Sequence, residues 1–491
     1  MILRIRGATA IAIAFLVPLV VLLASVRTEV GYWDTADLQT VAWIAGIPYP
    51  TGFPGYVLVG WLWTHLIPLA SVAARLNALS AVAIASGAAT ITALALLFDV
   101  LPLLAILAGW TFAFAHPVWL RGTYADAHPV GFAVAFAAVA FAVAWSRPGA
   151  PRTLAAAIVL GGVALAIDNT TVLILAGGIL AVVGRRPPAG QTFAALGTAA
   201  LIVIAAYAYL PLRSAQVTAA RLDPTLALGI PPGRPFWDDH HPSTLEGFRG
   251  LVAGAQWRPE STVGHLFTAD AFQKSSARFG PELAADLPQG LLLAAAFGLV
   301  AIVVEAPLAG LGLFVSAILP PLFGGSYGVE ADPERYVFSL YAVSVLGIGV
   351  AADRARRAFG RRMPTLATVV VAGLLLLTLA RELTRGGDIL AARDGRDAVA
   401  LAERVVGATR EDAVVVAMWD FAMPLGYDAY VERGFGKRIV VCALPADYSY
   451  LYAHWLRDRQ VVVVNAGVPE IPGFRVRQLV GGYPGVYEVY R

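Results

Sequence analysis

Long apolar segments separated by short polar ones fill the chain from its N-terminus to about residue 380. A segment of about 17 to 25 apolar residues has the length of a membrane-crossing helix, or slightly fewer inside a bundle. The segments of this kind cover residues 8–26, 76–98, 101–118, 129–145, 154–167, 171–183, 193–210, 291–304, 308–323, 337–350 and 366–379. The pattern therefore predicts a polytopic membrane protein with about eleven crossings, the first being an uncleaved helix.

Segment 53–68 is apolar but short, and proline breaks it at both ends. If it lies in the membrane interface, one side of the membrane receives the arginines Arg4, Arg6, Arg147, Arg152, Arg185, Arg186, Arg354, Arg356, Arg357, Arg361 and Arg362. The positive-inside rule makes that side cytoplasmic. The opposite, outer side then receives the Asp34 loop, residues 121–128, 211–288 and 324–336, and the C-terminal tail. All candidate chemistry is thus predicted on the extracytoplasmic face.

The pattern changes from about residue 381 onward. Short β-type runs alternate with helical stretches, the strands at 413–417, 439–441 and 461–464 and the helices at 396–406 and 450–457. This is typical of a small α/β domain, and no glycine-rich phosphate loop follows the strands. We therefore divide the chain into a transmembrane catalytic domain, 1–384, with outer loops 27–75 and 211–288, and a soluble extracytoplasmic α/β domain, 385–491.

Composition supports the membrane prediction and excludes other classes. Hydrophobic residues make up 58% of the chain, charged residues 14%, and the mean hydropathy is +0.69. A net charge of +3 gives no basis for nucleic-acid binding, and the single cysteine, Cys442, excludes an intrachain disulfide. Arginine is frequent while lysine occurs only at Lys274 and Lys437, which indicates a GC-rich prokaryote and hence a plasma membrane.

Two carboxylates, Asp34 and Asp37, follow the first apolar segment and precede a helix-compatible stretch. One interpretation is structural: Asp34 caps that helix and Asp37 completes a capping pair. The other is functional, because carboxylates next to hydrocarbon are costly unless they are paired or used. The two interpretations are compatible, since a capping residue can also act as a base.

Several motifs follow in order from this loop. They lie at residues 34–37, 48–56, 75–80, 122–128 and 209–214, the last reading Tyr-Leu-Pro-Leu-Arg-Ser. Together they resemble the transmembrane O-mannosyltransferases of the GT-C superfamily, over most of the chain up to about residue 362. Two positions depart from that family, which usually has histidine at the position of Tyr49 and glutamate at that of Asp37.

The resemblance implies a fold and an activity. The fold is a mainly α polytopic membrane protein of GT-C type, with an interfacial helix beside the crossings. The activity is transfer of a sugar, with mannose favoured, from a polyprenyl-phosphate donor to an acceptor hydroxyl, with inversion. The acceptor is a protein, lipid or glycan, the surroundings are membrane lipid, and no nucleic acid is involved.

The residues suit that chemistry in named roles. A carboxylate that accepts the hydroxyl proton accelerates transfer, and we expect Asp34 in this role, with Asp37 as the alternative base or a positioning group. The predicted donor-phosphate residues are Arg213, Arg121, Tyr124 and Arg335. The predicted substrate-binding residues are Tyr49, Tyr56, Asp126, His128 and Trp237. Arg213 and Arg121 each have an alternative as a snorkelling interfacial side chain, and Trp237 has one as part of an aromatic belt.

No cofactor is predicted, and a divalent metal stays an open alternative. Residues 237–242, Trp-Asp-Asp-His-His-Pro, contain metal-ligand types, but polar residues before proline are typical of a turn. Two other classes remain as alternatives to the enzyme: a flippase of lipid-linked precursors, and a non-catalytic envelope assembly protein. A flippase favours charges near the bilayer midplane, whereas these acids cluster in outer loops.

Overall fold

The structure, a computed structural model, describes residues 7–68, 70–147, 153–254, 265–326, 333–359 and 364–491. Helices dominate the first part of the chain. They are α1 (Gly7–Ser25), α2 (Trp33–Ile44), α3 (Pro54–Leu66), α4 (Val72–Leu97), α5 (Pro102–Phe114), α6 (His116–Arg121), α7 (Ala127–Ser146), α8 (Thr153–Ile167), α9 (Val172–Val183), α10 (Ala189–Ala219), α11 (Leu245–Ala253), α12 (Ala269–Asp286), α13 (Gln289–Glu305), α14 (Pro307–Ser326), α15 (Phe338–Phe359) and α16 (Pro364–Arg385).

Each predicted crossing contains one of these helices. Within the described residues, six helices are by themselves long and apolar enough to span a membrane, namely α1, α4, α7, α10, α14 and α15. Helices α12 and α13, bent by 104° at their junction, would make a seventh if they form one span. Helices α5, α8 and α9 are apolar but shorter. A bundle with several apolar helices is therefore confirmed.

The bundle has two chemically different ends. At one end, Glu305 pairs with Arg147 and Arg354, at 2.9 and 2.7 Å, and Asp353 pairs with Arg356 and Arg357. This is the arginine-rich end predicted to be cytoplasmic. Of that predicted set, Arg4, Arg6, Arg152, Arg361 and Arg362 lie outside the described residues. The predicted outer residues gather at the opposite helix ends.

Segment 53–68 forms the 13-residue helix α3, too short to cross a bilayer by itself. Its exposed side includes Leu58, Trp61, Leu62 and Leu66, while the opposite side is buried against α2, α4, α8 and α10. A short helix with one exposed apolar side fits a position in the interface.

The C-terminal part is the predicted small α/β fold. Its helices are α17 (Gly387–Ala391), α18 (Asp397–Ala408), α19 (Trp419–Tyr427) and α20 (Ser449–Trp455). Its strands are β1 (Val414–Ala417), β2 (Ile439–Cys442), β3 (Val461–Asn465), β4 (Arg475–Val480) and β5 (Gly485–Tyr490), in the order β2-β1-β3-β5-β4. The first three strands are parallel, and β5 is antiparallel to β3 and β4.

The three parallel strands and helices α18 and α20 agree with the sequence-based prediction, whereas the hairpin of β4 and β5 was not predicted. Strand β4 is largely exposed and carries two arginines, so it lacks the apolar run that marks the buried strands. The Gly481-Gly482 pair between the two strands is the turn signal that indicates this hairpin.

Small residues set the distance between neighbouring helices of the bundle. A Cβ at Gly298 of α13 would lie 1.9 Å from the carbonyl oxygen of Gly347 of α15, and one at Gly177 would lie 2.0 Å from that of Gly312. In a membrane, no hydrophobic driving force brings helices together. Close backbone approach of this kind provides van der Waals contact between them instead.

We expect Gly298→Ala to destabilise the bundle, because the added methyl group must push α13 and α15 apart, at a cost on the order of 1–3 kcal/mol. Thermal unfolding of the detergent-purified protein measures this. The control is Gly373→Ala on α16, where a Cβ meets no heavy atom of the described structure within 4 Å. Equal melting temperatures for the two variants would contradict the close approach.

Candidate active site

Helix α2 places both predicted acids at the end of the bundle opposite the arginine-rich end, which is the end predicted to be outer. Its residues 35–42 are all buried, including the polar side chains of Thr35, Asp37, Gln39 and Thr40. The N-cap is Tyr32, and it makes no side-chain capping bond, so Asp34 is not the cap that one interpretation of the sequence predicted. A short helix with this much buried polarity depends on partners for its position.

Those partners come from the motif segments. Asn77 of α4 accepts hydrogen bonds from Gln39 at 2.8 Å and from the backbone N–H of Ala125 at 2.7 Å. At the far end of α2, the Tyr209 hydroxyl and the Arg213 guanidinium donate to the carbonyl of Ala45, at 2.5 and 2.6 Å. The motifs at 75–80 and 209–214 therefore hold α2 in place.

Asp126 is the centre of a buried charge cluster. One carboxylate oxygen accepts from His128 at 2.9 Å, and the other lies 3.4 Å from Nε of Arg335 and 3.7 Å from Nη1 of Arg121. Burial acts to raise the pKa of Asp126, but the charges of Arg335 and His128 outweigh it and hold that pKa below its usual range. Asp126 is thus an ionised anchor shared by two guanidinium groups.

Asp34 joins this cluster from the first turn of α2. Its Oδ2 accepts from Nη1 of Arg335 at 2.7 Å, and its Oδ1 accepts from the indole N–H of Trp419 at 3.0 Å. Its side chain keeps 21% of its surface exposed, in contrast to Asp126 at 2%. Asp34 is therefore both held in place and reachable from solvent.

Asp37, one helical turn further on, is fully buried. Its Oδ2 accepts from the backbone N–H of Tyr49 at 3.4 Å, and its Oδ1 has no hydrogen-bond partner in the described part of the chain. Burial raises the pKa of Asp37 well above its usual value of 3.8, and the charge of Asp239 adds to the shift. The two acids, indistinguishable by spacing, thus differ in environment.

The other predicted site residues divide into two groups. Arg121, Arg335, Asp126 and His128 meet in the cluster, and Arg121 also pairs with Glu334 at 2.9 Å. The rings of Tyr49 and His128 pack against Phe53, at centroid distances of 5.2 and 5.9 Å, and Tyr56 is buried in the same apolar group as Tyr49.

Arg213, Tyr124 and Trp237 make other contacts. Arg213 binds the carbonyls that end α2, which by helix geometry is about 15 Å from Asp34. The Tyr124 ring lies under the guanidinium of Arg27, at 4.4 Å. Trp237 packs against Arg213 and Tyr430 and lines a separate cavity of 270 Å³.

Two residues of the site had no role in the sequence-based prediction. Glu334 adjoins Arg335, and its pairing with Arg121 joins segments far apart in the chain. Trp419 is the second residue after the end of β1, and a residue at the carboxyl end of a central parallel strand occupies the usual position of binding residues in α/β folds. That position was the one available signal for Trp419.

The turn at 237–242 pairs its histidines locally. His241 contacts Asp238 at 2.6 Å, and His240 contacts Asp239 at 2.7 Å. Across the described ranges, no group of three or more His, Cys, Asp or Glu side chains is arranged to hold a metal ion.

A narrow cavity of about 20 Å³ adjoins the cluster. Polar side chains, His128, Asp168 and Arg335, line one part of it, and apolar ones such as Phe132 and Phe338 line the other. The charge cluster thus meets the apolar interior of the bundle at this point.

An apolar helical bundle, an acid-bearing short helix at its outer end and a small mixed sheet beside it define the GT-C-type fold. Comparison with solved structures confirms that fold class. The chain is similar to the crystal structure of ArnT from Cupriavidus metallidurans in the apo state, with a TM-score of 0.60 and 13% identity, over 99% of this chain and 98% of the other. It is also similar to ArnT from the same organism bound to undecaprenyl phosphate, with a TM-score of 0.58 and 14% identity, over 98% and 96% of the two chains.

At these identities the likeness to ArnT is one of fold. Comparison with protein-family models gives no match, and comparison with curated protein sequences gives no significant one.

We expect Asp37→Asn to stabilise the protein increasingly as pH rises. When the pKa of a carboxyl group is raised in the folded state, the protein loses the stability contributed by that group as pH rises through the raised pKa. Asparagine stays neutral at every pH and keeps an oxygen that can accept from the Tyr49 N–H. The gain over wild type at about pH 8, compared with that at about pH 4, should be on the order of 1 kcal/mol or more.

Thermal unfolding in detergent at the two pH values measures the difference. Asp458→Asn, at an exposed position, is the control and should show no such trend. A gain that does not change with pH would mean that Asp37 is ionised in the folded protein.

Proposed function

We propose that this protein is a membrane glycosyltransferase that moves a sugar from a polyprenyl-phosphate donor to an acceptor hydroxyl on the extracytoplasmic face. One observation carries the proposal: a partly exposed carboxylate, Asp34, lies next to the buried Arg335, and Asp126 joins Arg335 to Arg121. A base beside paired guanidinium groups suits transfer away from a phosphate leaving group.

Asp34 is the better candidate for the base. A general base must be ionised and within reach of the acceptor hydroxyl. Asp34 is exposed enough for that contact, and Arg335 and Trp419 both donate to it. Asp37 meets neither condition, because burial raises its pKa and removes it from solvent. We assign Asp37 a supporting role under the Tyr49 turn.

The phosphate site is proposed at Arg121 and Arg335. Guanidinium groups bind phosphate oxygens through paired, charge-assisted hydrogen bonds and stabilise the charge that develops on the leaving group. Asp126 contacts both groups and so fixes their relative orientation. Arg213 is engaged with carbonyls at the other end of α2, so we leave it out of this site.

A lipid-linked donor suits the position of the cluster. The side chains around the small cavity beside Arg335 pass from charged to apolar, which favours a ligand with a charged head group and an apolar chain. The similar fold of ArnT holds undecaprenyl phosphate in its crystal structure. The arginine-rich far end, which the positive-inside rule assigns to the cytoplasm, supports an extracytoplasmic site.

The proposed reaction is a single displacement with inversion. The acceptor hydroxyl oxygen bonds to the anomeric carbon, its proton passes to Asp34, and the bond from that carbon to the phosphate oxygen breaks. The bond pair stays on the phosphate, which Arg121 and Arg335 stabilise. The products are the glycosylated acceptor and the polyprenyl phosphate. Mannose is proposed as the sugar from the motif resemblance, with the acceptor a protein, lipid or glycan.

Asp34→Asn is expected to lower sugar transfer by roughly 10²- to 10⁴-fold, because the amide cannot accept the hydroxyl proton. Release of radiolabelled sugar from polyprenyl-phosphate monosaccharides, by purified protein in lipid with a membrane extract as acceptor source, measures it. Asp37→Asn is the matched control and should retain most of the activity. If loss followed Asp37→Asn instead, the two roles would be exchanged. No turnover by wild type with any donor would favour the flippase or assembly alternatives.

Arg121→Gln is expected to raise the donor KM by about tenfold or more, because the phosphate loses a charge-assisted hydrogen bond. Steady-state kinetics with varied donor concentration show this. Arg213→Gln is the comparison: it should lower the melting temperature by freeing the end of α2 and leave the donor KM of the folded protein unchanged. The reverse pattern would return the phosphate site to Arg213.

A further inference from the structure

The C-terminal part of the chain contributes one side chain directly to the candidate active site. Trp419, the first residue of α19, donates its indole N–H to Oδ1 of Asp34 at 3.0 Å, across 385 residues of sequence. Its ring also meets the ring of Tyr49 edge-on, with centroids 5.8 Å apart and planes at 87°. The hydrogen bond is therefore part of a packed contact.

The position of Trp419 is fixed from two directions. It follows the buried strand β1, which lies in the middle of the three parallel strands. Helix α19 packs along α2, and at its far end the Tyr427 hydroxyl accepts the backbone N–H of Ala73 at 3.0 Å. Ala36 and Ala42 of α2 share one apolar core with Phe421 and Leu425 of α19. Helices α2 and α19 thus form one packed unit.

The electrostatic surroundings of Asp34 leave a distinct role for a neutral donor. Arg335 pairs with Oδ2, and Asp126 lies behind that guanidinium. The negative charge of Asp34 also acts to raise the pKa of Asp37 and that of Tyr49. On α19, the charge of Asp420 acts in the same direction on the pKa of Tyr32. An indole N–H stabilises the ionised carboxylate without adding a second positive charge, and it fixes which oxygen faces the acceptor.

We propose that Trp419 is a positioning residue for the base, so that the C-terminal part of the chain completes the catalytic site. This inference rests on the proposed role of Asp34. Through its N–H, Trp419 donates to the carboxylate of Asp34 and holds its plane, and the sheet and α19 serve to place that indole. The small α/β unit then has a function in the chemical step, in addition to any contact with the acceptor.

The test is Trp419→Phe, which keeps an aromatic ring beside Tyr49 and removes the N–H together with part of the indole ring system. We expect kcat to fall roughly tenfold with the donor KM little changed, since a hydrogen bond to an ionised group is lost. The acidic limb of the pH profile of kcat should move to higher pH, by about one unit, because protonation of the base becomes easier. Trp455→Phe is the matched control, since its N–H donates to the carbonyl of Leu228 at 2.8 Å in the same part of the chain.

A second variant, Trp419→Leu, separates the N–H from packing. Both variants lack the donor but differ in shape, so the limb should shift equally in both, whatever their melting temperatures. Shifts that follow the melting temperatures, or an unmoved limb, would overturn the positioning role. If Asp34→Asn is inactive and the acidic limb of the Trp419 variants does not move, this inference alone is refuted. If Asp34→Asn is active, the proposed base and the inference are refuted together.

Discussion

Burial of the polar helix α2 is the constraint on which the rest of the outer structure depends. A helix that buries Asp37, Gln39 and Thr40 at the edge of an apolar bundle is stable only if each group finds a partner. Asn77 supports its middle, and Tyr209 and Arg213 bind its C-terminal carbonyls. The motif segments are therefore brought together by the requirements of one short helix, and the site at its N-terminal end follows.

Two buried carboxylates at this end of the bundle are accommodated in different ways. Asp126 is ionised because two guanidinium groups and a histidine surround it. In the described part of the chain no cation pairs with Asp37, and burial raises its pKa instead. Asp34 differs from both, because it pairs with Arg335 and is partly open to solvent. The same residue type thus has three different environments within one site, as acid–base chemistry requires.

Sequence reasoning works for features that depend on local pattern and fails for those that depend on distant contacts. The apolar lengths predicted the helices, and the arginine bias placed Asp34, the 121–128 turn and Arg335 at one end, where the structure brings them together. Arg213 and Arg335 are both arginines of segments predicted to be outer, and only the tertiary structure separates their roles. Trp419 has no signature except its place after a strand.

The ion pairs around Arg121 and Arg335 have a consequence for selectivity. Both cations are already matched by three carboxylates, Asp34, Asp126 and Glu334, so the cluster offers little net attraction to a soluble anion. A phosphate must displace internal partners, and burial of a long hydrocarbon chain, at about 0.8 kcal/mol per CH₂, can supply that free energy. In the proposed reaction the phosphodiester of the donor becomes a monoester with more negative charge, which the same carboxylates would repel. If the proposed donor is correct, the ion pairs would therefore disfavour binding of free phosphate and favour release of the spent carrier.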